Sequence, residues 1–102
     1  MKIRLSDRAL DFLKREQGYL AKFDKRVALA VVQQIRAAIK LVGEYPQVGP
    51  AVDGAQAVRR YVAAPYQIDY QLDDAGIIIV AIRHGRQAPR EMEADYPPSD
   101  ME

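Results

Sequence analysis

Residues Arg59 to Gln87, RRYVAAPYQIDYQLDDAGIIIVAIRHGRQ, leave the chain few folds to choose from. In the middle of this stretch Tyr66, Ile68, Tyr70 and Leu72 alternate with Gln67, Asp69, Gln71 and Asp73. Successive side chains of a strand point to opposite faces, so the alternation predicts a strand with one apolar and one polar face. Residues 57–63 read as an earlier strand, with Val58, Arg60 and Val62 on one face and Arg59 and Tyr61 on the other. Pro65 separates the two. Asp73-Asp74-Ala75-Gly76 supplies a turn, and Ile77–Ile82 follows as an unbroken apolar run. A strand apolar on both faces belongs in the middle of a sheet. A three-stranded meander alone would leave it at the edge, where it would invite aggregation. Another strand must therefore cover it, and the N-terminal segment is the one available.

That segment fits. Ile3 and Leu5 alternate with Lys2 and Arg4, a short half-buried strand. Ser6 then suits a helix N-cap, with Asp7 in the first turn. Ala9, Phe12, Leu13 and Leu20 fall roughly on one helical face, and Gly18 weakens the helix late in its course. Asp24 is a second N-cap candidate, opening a helix from about Lys25 to Val42. Val27, Val31, Ile35, Ala38 and Val42 form its stripe, widened by Ala28, Val32 and Ile39. Gly43 stands where a C-terminal glycine belongs, with Pro46 beyond it. The short link between the helices predicts an antiparallel hairpin. The expected fold is α+β in two layers: an N-terminal strand, a helix hairpin, then a three-stranded antiparallel meander, with strand one beside strand four. Tyr45–Gly54, rich in Pro and Gly, is the loop that returns the chain to the sheet.

A chain of 102 residues predicts a single domain that buries its own core. The absence of Cys excludes a disulfide framework and thiolate metal sites, and fits a reducing, cytoplasmic location. Met1 runs directly into charged residues, so no signal segment is expected. The longest apolar run is far too short to span a bilayer. The net charge of +1 hides an asymmetry: residues 88–102 carry five acids against Arg90, a charge of −4, which leaves +5 on residues 1–87. The acidic tail, residues 90–102 with Pro97-Pro98, shows no periodicity and is expected to be flexible.

Most catalytic signatures are absent. There is one His, no Gly-rich phosphate loop, and two serines, Ser6 and Ser99, neither placed for a triad. No metal or other cofactor is expected. What remains is cationic: Arg59 and Arg60 open the meander, and Arg83, His84 and Arg86 close it. Arg groups bind phosphate in a bidentate manner, and an imidazole such as His84 can act as a general acid or base. The set would suit metal-free RNA cleavage, docking on nucleic acid or an acidic protein, or simply a basic strand end in water.

The chain resembles the RelE/ParE superfamily of type II toxins over about residues 1–89. The resemblance rests on YP–VGP at 45–50, VRRYVAAPYQIDYQL at 58–72 and IIIVAIRHGRQAP at 77–89, the last with the family's aliphatic strand and His-Gly-Arg ending. It implies the same two-layer fold, with the first strand beside the last. It also implies a cognate antitoxin, ParD- or RelB-like, whose extended segment wraps the hairpin and sheet in a hetero-oligomer.

The superfamily holds two activities. RelE-like members cleave mRNA on the ribosome; ParE-like members poison DNA gyrase. The cleaving branch commonly has an Arg where this chain has Gln67, and a Tyr or His where this chain has Ala88 to Glu91. Loss of one phosphate-stabilising donor costs roughly 10²–10³ in rate. The acidic tail would repel RNA. The resemblance thus favours a ParE-like gyrase poison whose target surface includes Arg59, Arg60, Arg83, His84 and Arg86. The alternative is a ribosome-dependent endoribonuclease with His84 and Arg86 as catalytic groups. A third possibility is a toxin fold that has kept its binding partner and lost toxicity.

Overall fold

A computed structural model describes residues 2–52 and 57–85. The elements run β1 (Ile3–Leu5), α1 (Asp7–Ala21), α2 (Lys25–Glu44), β2 (Arg59–Ala63), β3 (Tyr66–Asp73) and β4 (Gly76–His84). The four strands form one sheet in the order β1-β4-β3-β2. β1 lies parallel to β4, pairing Ile3 with Ile77 and Leu5 with Ile79. The meander β2-β3-β4 is antiparallel. The apolar fourth strand is thus central, as its sequence requires, and β1 is the strand that covers it.

The core lies between the helix hairpin and one face of the sheet. Ala9, Ile35, Ala38, Ile39 and Val42 meet Tyr66, Ile68, Tyr70, Ile77, Ile79 and Ile82. Side chains directly opposite in an antiparallel pair share a face. Tyr61 opposite Ile68 and Ala63 opposite Tyr66 therefore extend this core onto β2. The parity along β4 changes midway. Asp69 pairs with Ala81 but Tyr70 pairs with Ile79, so Val80 is an extra residue in the ladder. Such a bulge turns the following side chains over. Ile77 and Ile79 face the helices before it, and Ile82 and His84 face them after it. Had Val80 kept the ordinary alternation, Ala81 and Arg83 would point into the core instead.

The helix starts follow the sequence. Ser6 caps α1, its Oγ accepting from the Ala9 N–H at 3.0 Å. The same hydroxyl donates to the Val80 carbonyl at 2.7 Å, and the Ser6 N–H donates to Ile79 at 2.9 Å. Ser6 thus fastens the start of α1 to the bulge. Asp24 caps α2 through the Arg26 N–H at 2.8 Å. Two expectations for α2 need correction. The helix does not end before Gly43 but runs on to Glu44, with Tyr45 as its cap. Gly43 serves packing: a Cβ there would collide with the Ile3 side chain, so the glycine lets β1 lie against α2. Val27, read as part of the packing stripe, is 46% exposed because it lies in the first turn of α2, beside the turn that closes the hairpin.

Close approaches hold the loops. Tyr70 Oη donates to the Pro46 carbonyl at 2.6 Å and accepts from the Gly49 N–H at 3.0 Å. Gly49 packs directly on the Arg60 carbonyl, where a side chain would not fit. The Arg60 N–H donates to Pro50 at 2.9 Å, so residues 50–52 lie along the outer edge of β2. At the β3–β4 turn, Asp73 accepts from the Ala75 N–H at 2.8 Å, and its other oxygen accepts from Arg4 at 2.5 Å. The Asp73-Asp74 pair is a turn, and Arg4 ties that turn to β1.

Candidate functional site

The described members of the basic set divide between the two faces of the sheet. His84 lies opposite Tyr66 and Arg59 opposite Tyr70, both on the helix side. They stand four register positions apart, about 13 Å along the strand. Arg60 lies opposite Asp69 and Arg83 opposite Gln67, both on the other side. Arg86 and the 90–102 tail lie outside the described residues. The placement follows from the hairpin: counting back from the Ala64-Pro65 turn brings Arg60 against Asp69.

Arg60 and Asp69 form a two-pronged ion pair, with Nε to Oδ1 at 2.7 Å and Nη2 to Oδ2 at 3.0 Å. Asp69 is 1% exposed and the Arg60 side chain 23%. The guanidinium is engaged by this carboxylate. Arg83, 5% exposed, is buried farther along the same face. Arg59 donates to the Gln47 carbonyl at 3.1 Å and so supports the 45–52 loop.

His84 is half-buried beside an aromatic shelf. Its ring meets Tyr66 edge-on, centroids 5.4 Å apart, and Tyr66 in turn meets Phe12 at 6.1 Å. The Tyr66 hydroxyl donates to Glu16 Oε2 at 2.6 Å. Burial first, then the hydrogen bond and charge of Glu16, push that hydroxyl well above the ordinary phenol range. Tyr66 therefore stays protonated and is a poor base. Sequence reasoning found His84 but missed Tyr66, Glu16 and Asp69. Glu16 is distant in sequence from the shelf, and Asp69 looked like a solvent-facing member of the alternation.

Tyr66 makes stability depend on alkaline pH. The unfolded chain ionises this phenol near pH 10, while the folded chain keeps the proton. Stability contributed by Tyr66 is complete below about pH 10 and declines as pH rises toward the folded value. Tyr66→Phe is expected to cost about 1 kcal/mol at neutral pH and to flatten the alkaline decline. Urea unfolding at neutral pH and above pH 10 measures both effects.

Beside the outer edge of β2 lies an apolar cleft of about 420 Å³, lined by Val48, Pro50, Val52, Tyr61 and Val62, with Arg60 at its wall. Val62 is largely exposed. Among the described residues, no group of three or more His, Cys, Asp or Glu side chains could hold a metal ion. No described helix is long and apolar enough to cross a membrane.

The strand, helix hairpin and meander, with β1 docked beside β4, are shared with two solved toxin structures. One is the chromosomal ParDE toxin–antitoxin system of P. aeruginosa, with a TM-score of 0.71 and 19% identity over 82% of this chain and 95% of that one. The other is the isolated E. coli RelE toxin, with a TM-score of 0.56 and 16% identity over 90% of this chain and 92% of that one. No curated protein sequence matches the chain. The fold is that of a RelE/ParE-superfamily toxin. The model of the ParE toxin of type II toxin–antitoxin systems, parDE, matches residues 3–89. The chain belongs to this family.

Proposed function

We propose that this type II toxin acts in the ParE manner, binding DNA gyrase and blocking replication, and that a cognate ParD- or RelB-like antitoxin neutralises it. The observation that carries this reading is the division of the basic set. RNA cleavage needs phosphate-binding cations around the proton-transfer group. Here Arg60 is engaged by Asp69 on one face while His84 stands on the other, and position 67, commonly Arg in the RNA-cleaving branch the chain resembles, is a neutral Gln67 on the Arg60 face. The target surface is proposed to draw on Arg59 and His84, which share the helix side of the sheet, with Arg86 following them; Arg60, held by Asp69, and the buried Arg83 lie on the other face and serve the fold. Residues 1–89 form the toxin domain and 90–102 an acidic tail. The cleft beside β2 supports the antitoxin reading, because extended peptides bind through apolar pockets next to a sheet edge. The setting is the cytoplasm.

The test is expression without antitoxin. Filamentation and DNA damage with intact mRNA are expected, and a His84→Ala, Arg86→Ala double variant is expected to be weakened in toxicity without losing it. If the chain were a ribosome-dependent endoribonuclease with His84 as proton-transfer group, mRNA would be cut. The double variant would then lose at least about 10²–10³ in rate. The half-buried seat of His84 against Tyr66 is the feature that keeps this alternative in view.

A further inference from the structure

His84 ends β4, and its backbone is held on two sides. It lies opposite Tyr66 in the antiparallel ladder, and the next residue, Gly85, donates its N–H to the Pro65 carbonyl at 2.5 Å. Beside Tyr66, α2 fastens the turn between β2 and β3: Gln34 Nε2 donates to the Ala64 carbonyl at 2.7 Å and to Ala63 at 3.3 Å. With the backbone fixed, the torsions of the imidazole itself remain to be set. Tyr66 is the ring it rests on, edge-on at 5.4 Å.

Tyr66 is in turn gripped from α1. Phe12 meets its ring at 6.1 Å and 76°, and Glu16 Oε2 accepts from its hydroxyl at 2.6 Å. Residues four apart on a helix share a face, so α1 presents both groups to the same ring. A phenol-to-carboxylate bond of this length is charge-assisted and stronger than a neutral one. Tyr66 is 2% exposed, so its hydroxyl has no ready substitute for Glu16. Packing alone would accept a Phe at this position; the bond to Glu16 adds a fixed direction for the ring.

We infer that Glu16 and Tyr66 are positioning residues for His84: the carboxylate on α1 orients the Tyr66 ring, and that ring holds the imidazole in one orientation on the helix side of the sheet. The inference rests on the proposed use of that side as the target surface. A side chain already ordered need not be ordered on binding, so the tether raises affinity for the target without touching it.

His84 is the single histidine of the chain, so its ring protons can be followed by NMR without ambiguity. The wild-type chain is expected to show ring-to-ring contacts with Tyr66 and His84 shifts displaced by the Tyr66 ring. Glu16→Ala should weaken those contacts and move the His84 signals toward those of a free imidazole. Glu16→Gln, which still accepts from the hydroxyl, should keep the wild-type pattern. Ala favours the helix, so α1 is expected to persist, which circular dichroism checks; Tyr66→Phe gives the same test with no buried donor left behind. Against purified gyrase, Glu16→Ala should bind about two- to tenfold more weakly, and Glu16→Gln as wild type. Unchanged His84 signals in folded Glu16→Ala and Tyr66→Phe would overturn the inference and leave Glu16 a purely structural role. Equal loss of gyrase affinity in Glu16→Gln and Glu16→Ala would overturn it too, because the charge and not the tether would then be what binds. A wild-type chain that shows the tether by NMR yet does not bind gyrase would support the positioning of His84 and contradict the gyrase reading.

Discussion

Arg60→Ala is expected to lower the unfolding free energy by about 3 kcal/mol, the cost of breaking a buried ion pair from one side. The loss is large because Asp69 stays behind. Its carboxylate is buried at 1% exposure, and the fork of Nε and Nη2 from Arg60 satisfies both of its oxygens. Water cannot replace those donors without opening the sheet face. A domain of this size loses about 4–8 °C of Tm per kcal/mol, so a fall of roughly 12–24 °C is expected. Replacing both partners, Arg60→Leu with Asp69→Leu, should recover most of it, since paired apolar groups carry no desolvation penalty. Thermal unfolding of the two single variants and the double variant gives the coupling directly. Additive losses would show that Arg60 and Asp69 stabilise the sheet separately.

Gly76→Ala is expected to be as damaging for a different reason. Gly76 has φ +129°, a conformation that L side chains rarely adopt. Sparsely populated backbone states cost about 1–3 kcal/mol each. A Cβ at Gly76 would also collide with the Lys2 carbonyl, which accepts from the Ile77 N–H at 2.8 Å. The side chain would thus push β1 away from β4 and uncover the central apolar strand. The combined loss is expected to reach about 3–4 kcal/mol, with aggregation where β4 is exposed. Gly18→Ala supplies the contrast. It lies in open space within α1 and should be neutral or stabilising by up to about 1 kcal/mol. Paired denaturation curves and light scattering would measure the difference. Equal behaviour of the two variants would contradict the assigned role of Gly76.

The parts of the fold that could be read from the chain are those set by local pattern. The Tyr66–Leu72 alternation and the Ser6 and Asp24 caps are short-range signals. The place of β1 followed from a physical argument, because an apolar strand at an edge needs a cover. What pattern could not reveal depends on contacts distant in sequence. The Val80 bulge interrupts a run in which every residue is apolar, so no change of period marks it, yet it decides that His84 faces the helices and Arg83 faces away. Asp69 looks like any polar residue of an alternating strand until Arg60 is brought opposite it. Gly43 looks like a helix stop until Ile3 is seen against it. The cationic residues were legible as candidates, but their distribution over two faces was not, and that distribution carries the functional reading.

The gyrase cleavage assay tests that reading most directly: purified chain, gyrase, ATP and supercoiled plasmid, with protein-linked double-strand breaks as the readout. A ParE-like poison is expected to produce toxin-dependent breaks, and a His84→Ala variant should still produce them, at a higher toxin concentration, if His84 serves docking rather than chemistry. Unchanged cleavage and supercoiling at saturating, folded toxin would contradict the gyrase account.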